Sequence, residues 1–151
     1  MINYKHVLIA VDFSPSADEV IKRAVAFKNS GKVKLTILHV VDHLPPLGFG
    51  EEPLIAPDWM IPEKELLESA RKSLDNLVQK HQLGEAEKLV TLGTASNEIA
   101  RVADESGVDL IVVGSHGRHG ARLLLGSTAN GVLHHANCDV LAVRIKDQEQ
   151  K

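Results

Sequence analysis

The chain has 151 residues, 44% of them hydrophobic and only 3% aromatic, with a formal net charge of −3. That length suits one domain with a core of Val, Leu, Ile and Ala between packed layers, which favours an α/β protein over an aromatic-rich β-sandwich. The charge offers no broad basic surface for gripping nucleic acid, and a single cysteine, Cys138, excludes both an internal disulfide framework and a multi-cysteine zinc site.

In chain order, "HVLIAV" at residues 6–11 is a short apolar and β-branched run, the pattern of a strand covered on both faces. It is too short for a signal-peptide core or a membrane span, and no longer run follows, so a cytoplasmic protein without membrane contact is expected. In "SPSADEVIKRAVAFKNSG" the period changes, with Ala17, Val20, Ile21, Ala24 and Val25 at helical spacing. Either Ser14 caps this helix with Pro15 at its first position, or Ser16 and Glu19 form a capping box one step later; Gly31 supplies the stop.

"KVKLTILHVV" at 32–41 reads as a second strand. Residues 43–62 hold five of the six prolines and show neither period, and so long a loop in a compact domain is usually functional or mobile. A helix over 63–81 places Leu66, Leu67, Ala70, Leu74, Leu77 and Val78 on one stripe. "EKLVTLG" is a short strand ending at Gly93, and "SNEIARVADESG" a helix with Ser96 as its expected cap. "VDLIVVG" is the fourth strand, 127–136 a short helix, and "DVLAVRI" the last strand.

Helical segments between strands, joined by right-handed crossovers, predict an α/β fold, an open five-stranded parallel sheet with helices on both faces, here taken with the strand order 3-2-1-4-5. One domain over 1–146 and a polar tail at 147–151 are expected. The order reverses between strands 1 and 4, so the crevice at their carboxyl ends, where Asp12 and Gly114 stand, is the default ligand site.

Gly114, Gly117 and Gly120 recur every third residue after strand 4, and Gly126 precedes Ser127 and Thr128 at a helix start. Glycine lets backbone approach a ligand closely, and a helix N-terminus presents unpaired N–H groups and the positive end of its dipole. With Arg118 or Arg122 as a cation, these are the parts of an anion cradle. The segment is not a Walker A loop, because no lysine precedes Ser127, and it lacks the G-x-G-x-x-G of a dinucleotide fold.

Plainer roles stand beside these. Asp12 can serve as a turn residue or helix-entry cap; a phosphoacceptor role would need an acidic neighbour and another acid ending strand 3, where the chain has "VTLG". His116, His119, His134 and His135 fall near the site, but adjacent His134 and His135 point to different faces of a helix, so no metal site is expected. His116 is read as ordering the loop and His39 as a hydrogen-bonded core histidine. Ser115 and Ser127 lack the G-x-S-x-G elbow of a nucleophile. Cys138 reads as a small packed hydrophobe.

The stretches "YKHVLIAVDFSPSA", "LHVVD", "DLIVVGSHGR" and "LLLGSTANGVLHHANCDVLAVR" together resemble the universal stress protein family over essentially the whole chain. The resemblance implies a Rossmann-like fold of the adenine nucleotide alpha hydrolase type. Many ATP-binding members carry G-x2-G-x9-G-[ST]. Gly114, Ser115, His116 and Gly117 match its first part and Gly126 with Ser127 its last, but only eight residues separate Gly117 from Gly126.

Carried over position by position, the resemblance implies adenine near the backbone of Ala10 and Val40, with Asp12 facing ribose or a phosphate-bound metal. Val113 and Gly114 would lie beside the ribose, and Gly117, Arg118, Gly126, Ser127 and Thr128 against the phosphates, with His116 inside the motif. Ala10 stands where some ATP-binding members have proline. The resemblance also implies antiparallel pairing of the last strand with its copy, an apolar edge that must be covered or paired.

The expectation is therefore a cytosolic, homodimeric stress or energy sensor that binds ATP with Mg2+ and acts through an unidentified regulatory protein. Rapid turnover is not expected, since no general base or dedicated lysine for phosphoryl transfer is evident. One alternative is an interaction module of the same fold that binds no nucleotide. Another is an adenylate-transferring enzyme, against which the absence of an H-x-G-H-type motif after strand 1 counts.

Overall fold

Strands and helices alternate along the described residues of the computed structural model, 4–28, 32–42, 62–115 and 126–145. They are β1 (His6–Ala10), α1 (Ala17–Lys28), β2 (Lys34–Asp42), α2 (Glu63–Lys80), β3 (Glu87–Gly93), α3 (Ala95–Ser106), β4 (Leu110–Gly114), α4 (Ser127–His135) and β5 (Asp139–Val143). The five strands form one parallel sheet in the order β3-β2-β1-β4-β5, as the sequence predicts. The proline-rich loop, apart from Pro62, and the polar tail lie outside the described residues.

The apolar runs of β1 and β4 follow from their central places. Val7, Leu8, Ile9, Ile111 and Val112 have no exposed surface, because each strand has a neighbour on both sides and helices on both faces. Alternation along the strands then sorts the core into two. Val7, Ile9, Leu35, Ile37 and Val112 face α1 and α2 through Val20, Ile21, Leu74 and Val78. Leu8, Leu38, Ile111 and Val113 face α3 and α4 through Ile99, Val102, Ala129 and Val132. Each fully buried Leu, Ile or Val contributes about 1.5–3 kcal/mol relative to exposure.

Several boundaries differ from the pattern-based ones, each for a tertiary reason. α1 takes the later of the two possible starts: the Ser16 carbonyl accepts from the Glu19 and Val20 N–H groups, and Pro15 falls in the preceding turn. Ser14 is drawn away from capping because its N–H and hydroxyl are bound to Asp12. β4 begins at Leu110, since the Val108 N–H is committed to the Ala103 carbonyl at the end of α3 and the Asp109 carboxylate accepts from the Lys5 and His6 N–H groups.

The cap of α3 is Thr94 rather than Ser96. Ser96 lies inside the helix, where it meets Gly131 of α4. A Cβ added at Gly131 would stand 2.5 Å from the Ser96 Cβ, so the two helices touch at a point only glycine allows. α4 ends at His135, with Ala136 as its C-cap.

Candidate functional site at the switch point

β1 and β4 pair through Ile9 and Val112, and beyond this level the chain leaves the sheet in opposite directions. From β1, the Val11 N–H still bonds the Leu38 carbonyl at 2.9 Å before the backbone turns. Asp12 organises that turn: its Oδ1 accepts from the Ser14 N–H at 3.0 Å and from the Ser14 hydroxyl at 2.6 Å, and Ser14 Oγ lies 2.6 Å from Ser16 Oγ. Among the described residues, Oδ2 takes no hydrogen bond. The turn role read beside the ligand role is thus filled by one oxygen of the carboxylate.

Phe13 has φ of 61°, left-handed backbone uncommon for a bulky residue. Its ring stacks on His39 with centroids 4.0 Å apart and planes inclined by 28°. His39 Nδ1 lies 2.7 Å from the Val11 carbonyl, an acceptor only, so that nitrogen carries the proton and donates. His39 is therefore the hydrogen-bonded histidine expected, but the aromatic partner beside Asp12 escapes the pattern reading. The only trace is a phenylalanine where the turn calls for polar residues.

On the other side of the crevice β4 ends at Gly114, and buried Ser115 ties three segments together. Its N–H donates to the Val143 carbonyl at 2.7 Å, its Oγ accepts from the Ile145 N–H at 3.2 Å, and its carbonyl accepts from the Gly126 N–H at 2.6 Å. Ser115 thus joins β5 and the cap of α4 to the end of β4. His116, Gly117, Arg118 and Arg122 lie outside the described residues, whereas the residues flanking that segment, Ser115 and Gly126, are joined by this bond.

Gly126 is the N-cap of α4, and among the described residues no side chain caps the helix. The first turn carries no acidic residue, whereas α1 has Asp18 and Glu19 there, α2 Glu63 and Glu65, and α3 Glu98. The opening N–H groups of a helix have no intrahelical acceptor, so those of Ser127, Thr128 and Ala129 lie at the positive end of the dipole without a partner inside α4.

Of the residues singled out in the sequence, Ala10 and Asp12 stand at the end of β1, Val113 and Gly114 at the end of β4, and Gly126, Ser127 and Thr128 at the start of α4. Ser115 connects the last two groups. Val40 lies two residues beyond Leu38, the partner of Ala10, and packs with Ala10 against the core cluster of α3 and α4.

Among the described residues, no group of three or more His, Cys, Asp or Glu side chains could hold a metal. Cys138 packs against the core, with its thiol pushed up by burial and by the neighbouring Asp139. An open groove of about 500 Å³ lies at the opposite, amino ends of the strands, lined by Lys5, Lys28, Lys32, Val33, Lys34 and Glu85. It shares no residue with the crevice.

A parallel five-stranded sheet of this order, its strands joined through helices, defines a class of doubly wound α/β protein. The family model described as "Universal stress protein family" matches residues 3–144, and the chain belongs to that family. Universal stress protein A homolog 2 of Coxiella burnetii is 41% identical over 97% of this chain and 99% of its own. The solved structure of the universal stress protein UspA from Lactobacillus plantarum superposes with a TM-score of 0.74 at 27% identity, covering 95% of this chain and 100% of that one. A universal stress protein solved in complex with cAMP shares the fold with a TM-score of 0.63 at 23% identity, over 94% of this chain and 98% of that one. No helix among the described residues is long and apolar enough to cross a membrane.

Proposed function

We propose that this chain binds an adenine nucleotide, ATP with Mg2+, in the crevice between β1 and β4, and that binding regulates a homodimeric stress-response protein. The observation that carries the reading is the start of α4, uncapped among the described residues, free of acidic side chains and pinned beside the end of β4 by the Gly126 N–H on the Ser115 carbonyl. An anion there meets three N–H groups without a partner inside α4, each favourable helix-end charge interaction contributing roughly 0.3–1 kcal/mol. Phosphates would rest on Ser127, Thr128 and Gly126, with Gly117, Arg118 and His116 from the adjoining segment. The spacing departure of one residue lies between Gly117 and Gly126, and the Gly126 N–H on the Ser115 carbonyl supports a cradle that joins the end of β4 to the start of α4.

The base would lie against the backbone at Ala10 and Val40, with Val113 and Gly114 beside the ribose. Asp12 fits a ribose hydroxyl or a phosphate-bound Mg2+, because its Oδ2 is not engaged in the turn. Bound Mg2+ would supply charge neutralisation between the phosphates. No residue of the crevice is assigned as a base for hydrolysis, so the nucleotide is read as a ligand rather than a substrate. The dimer reading rests on β5, which among the described residues is an edge strand with no neighbour on its outer side.

Calorimetry with Mg-ATP and with cAMP, the ligand of the more distant neighbour, tests the reading. Wild type should bind Mg-ATP, and Gly126→Val, which places a branched side chain where phosphate must approach backbone, should weaken binding at least about tenfold. Absence of heat from wild type at millimolar nucleotide overturns it. The eight-residue spacing would then favour an interaction module of the same fold.

A further inference from the structure

At the amino ends of the strands, far from the crevice, three polar side chains interrupt the apolar face that meets α3. His6 on β1 is 7% exposed and Thr36 on β2 is fully buried, while Glu87 opens β3 at the sheet edge with its carboxylate in solvent. His6 Nδ1 lies 3.2 Å from the Ser106 carbonyl, on the last residue of α3. His6 Nε2 lies 2.7 Å from Thr36 Oγ1, which in turn lies 3.1 Å from Glu87 Oε1. One chain of contacts thus runs from the end of a helix across three strands.

The proton count along these contacts is decisive. The Ser106 carbonyl accepts only, so Nδ1 must carry a proton to bond it. The Glu87 carboxylate also accepts only, so the Thr36 hydroxyl must give its single proton to that contact. Oγ1 then has only lone pairs for His6, and Nε2 must carry a proton as well. All three contacts are hydrogen bonds together only when His6 is the imidazolium. When His6 is neutral with its proton on Nδ1, the Thr36 hydroxyl can satisfy Nε2 only by turning away from Glu87.

We propose that His6, Thr36 and Glu87 form a proton-operated latch, in which protonation of His6 from solvent reverses the Thr36 hydroxyl from His6 Nε2 to Glu87 and ties edge strand β3 to β1 and the end of α3. In the neutral state Nδ1–H holds the Ser106 carbonyl, the Thr36 hydroxyl donates to Nε2, and Glu87 is left to solvent and to Lys34, whose Nζ lies 4.0 Å away. In the protonated state Nε2–H donates to Thr36 and the hydroxyl donates to Glu87.

The groups facing His6 set the pH at which the latch closes. Burial lowers its proton affinity most, and Lys34 of β2 lowers it further. The carbonyl of Ser106 at the negative end of α3, Glu87 of β3, and Asp109, which holds the His6 N–H, raise it. The net direction is downward from 6.5, so the latch closes on acidification below the ordinary histidine range. A folded value below the unfolded one means that stability is fullest above the unfolded value and declines as the pH falls from there through the folded one.

Imidazole 15N NMR on the intact protein tests this. At alkaline pH, His6 should be the Nδ1–H tautomer, and it should take up its second proton below pH 6.5. Glu87→Gln should weaken that uptake about threefold, a small effect for a charge acting through a buried hydroxyl. In a Thr36→Val background only the direct attraction of the Glu87 charge is left, so the Glu87→Gln effect should shrink clearly, whereas in Thr36→Ser, which keeps the hydroxyl, the full effect should persist; Thr36→Ala replaces the valine variant if that fails to fold. An Nε2–H tautomer, no effect of Glu87→Gln, or an equal effect with and without the Thr36 hydroxyl overturns the latch.

Discussion

Phe13 shows how one residue holds a site in shape. Left-handed backbone costs a non-glycine residue roughly 1–2 kcal/mol, and the ring's stack on His39 offsets part of that cost. Phe13→Ala forfeits the stack and keeps the strain, so it should destabilise the protein by about 1 kcal/mol. Phe13→Gly also loses the stack but relieves the strain, and should be less harmful by roughly 1 kcal/mol in urea unfolding. A glycine variant as unstable as the alanine one would contradict the strain at this position. The place of Asp12 is legible, because the apolar run stops there. The Phe13 stack is not, because a contact between residues 13 and 39 leaves no period. His6 and Thr36 are hidden similarly, since a single polar residue inside an apolar run reads as tolerated until both prove to share one face of the sheet.

At the scale of elements, hydrophobic period locates every helix and strand, but their ends are set by contacts distant in sequence. β3 is legible to the residue because Gly93 stops it, whereas the start of α1 depends on Asp12 holding Ser14. The contact of α3 with α4 is invisible in the sequence, since Ser96 reads as a cap and Gly131 as an ordinary helix residue. Gly131→Ala should destabilise the protein by about 1–3 kcal/mol despite alanine's better helix propensity, because the added methyl overlaps Ser96. Pairing it with Ser96→Gly should restore most of the loss; no rescue would mean that the helices do not meet there.

Asp18, near the start of α1, accepts from Lys80 at 2.9 Å and from His81 at 2.7 Å, at the end of α2. These hydrogen bonds, that of Lys80 first, hold its carboxyl below the usual aspartate value. A depressed folded value makes the contribution complete above the unfolded value near 3.8 and lost as the pH falls through the folded one. Asp18→Asn should therefore flatten melting temperature against pH below about 4. The effect should be small, because Lys80 is largely exposed.

For the whole molecule, alternation of strand and helix, with the rule of right-handed crossovers, announces a parallel sheet, and the order β3-β2-β1-β4-β5 then places the crevice between β1 and β4. The contents of the crevice are only half legible. Gly126 and Ser127 can be matched to a motif, but the bond from Gly126 to Ser115, which ties the start of α4 to the end of β4, depends on the folded path of the chain. Edge strand β5 predicts self-association: sedimentation should show a species of twice the 16.4 kDa chain mass, and a monomer at high concentration would contradict the dimer.

The measurement that bears most directly on the site is backbone amide NMR during titration with Mg-ATP. The largest shifts should fall on Ser127, Thr128 and Ala129 of α4, together with Asp12 and Gly114. Shifts confined to Lys5, Lys28, Lys32 and Lys34 at the opposite ends of the strands would show ordinary attraction of an anion to exposed lysines, and would contradict a nucleotide site at the switch point.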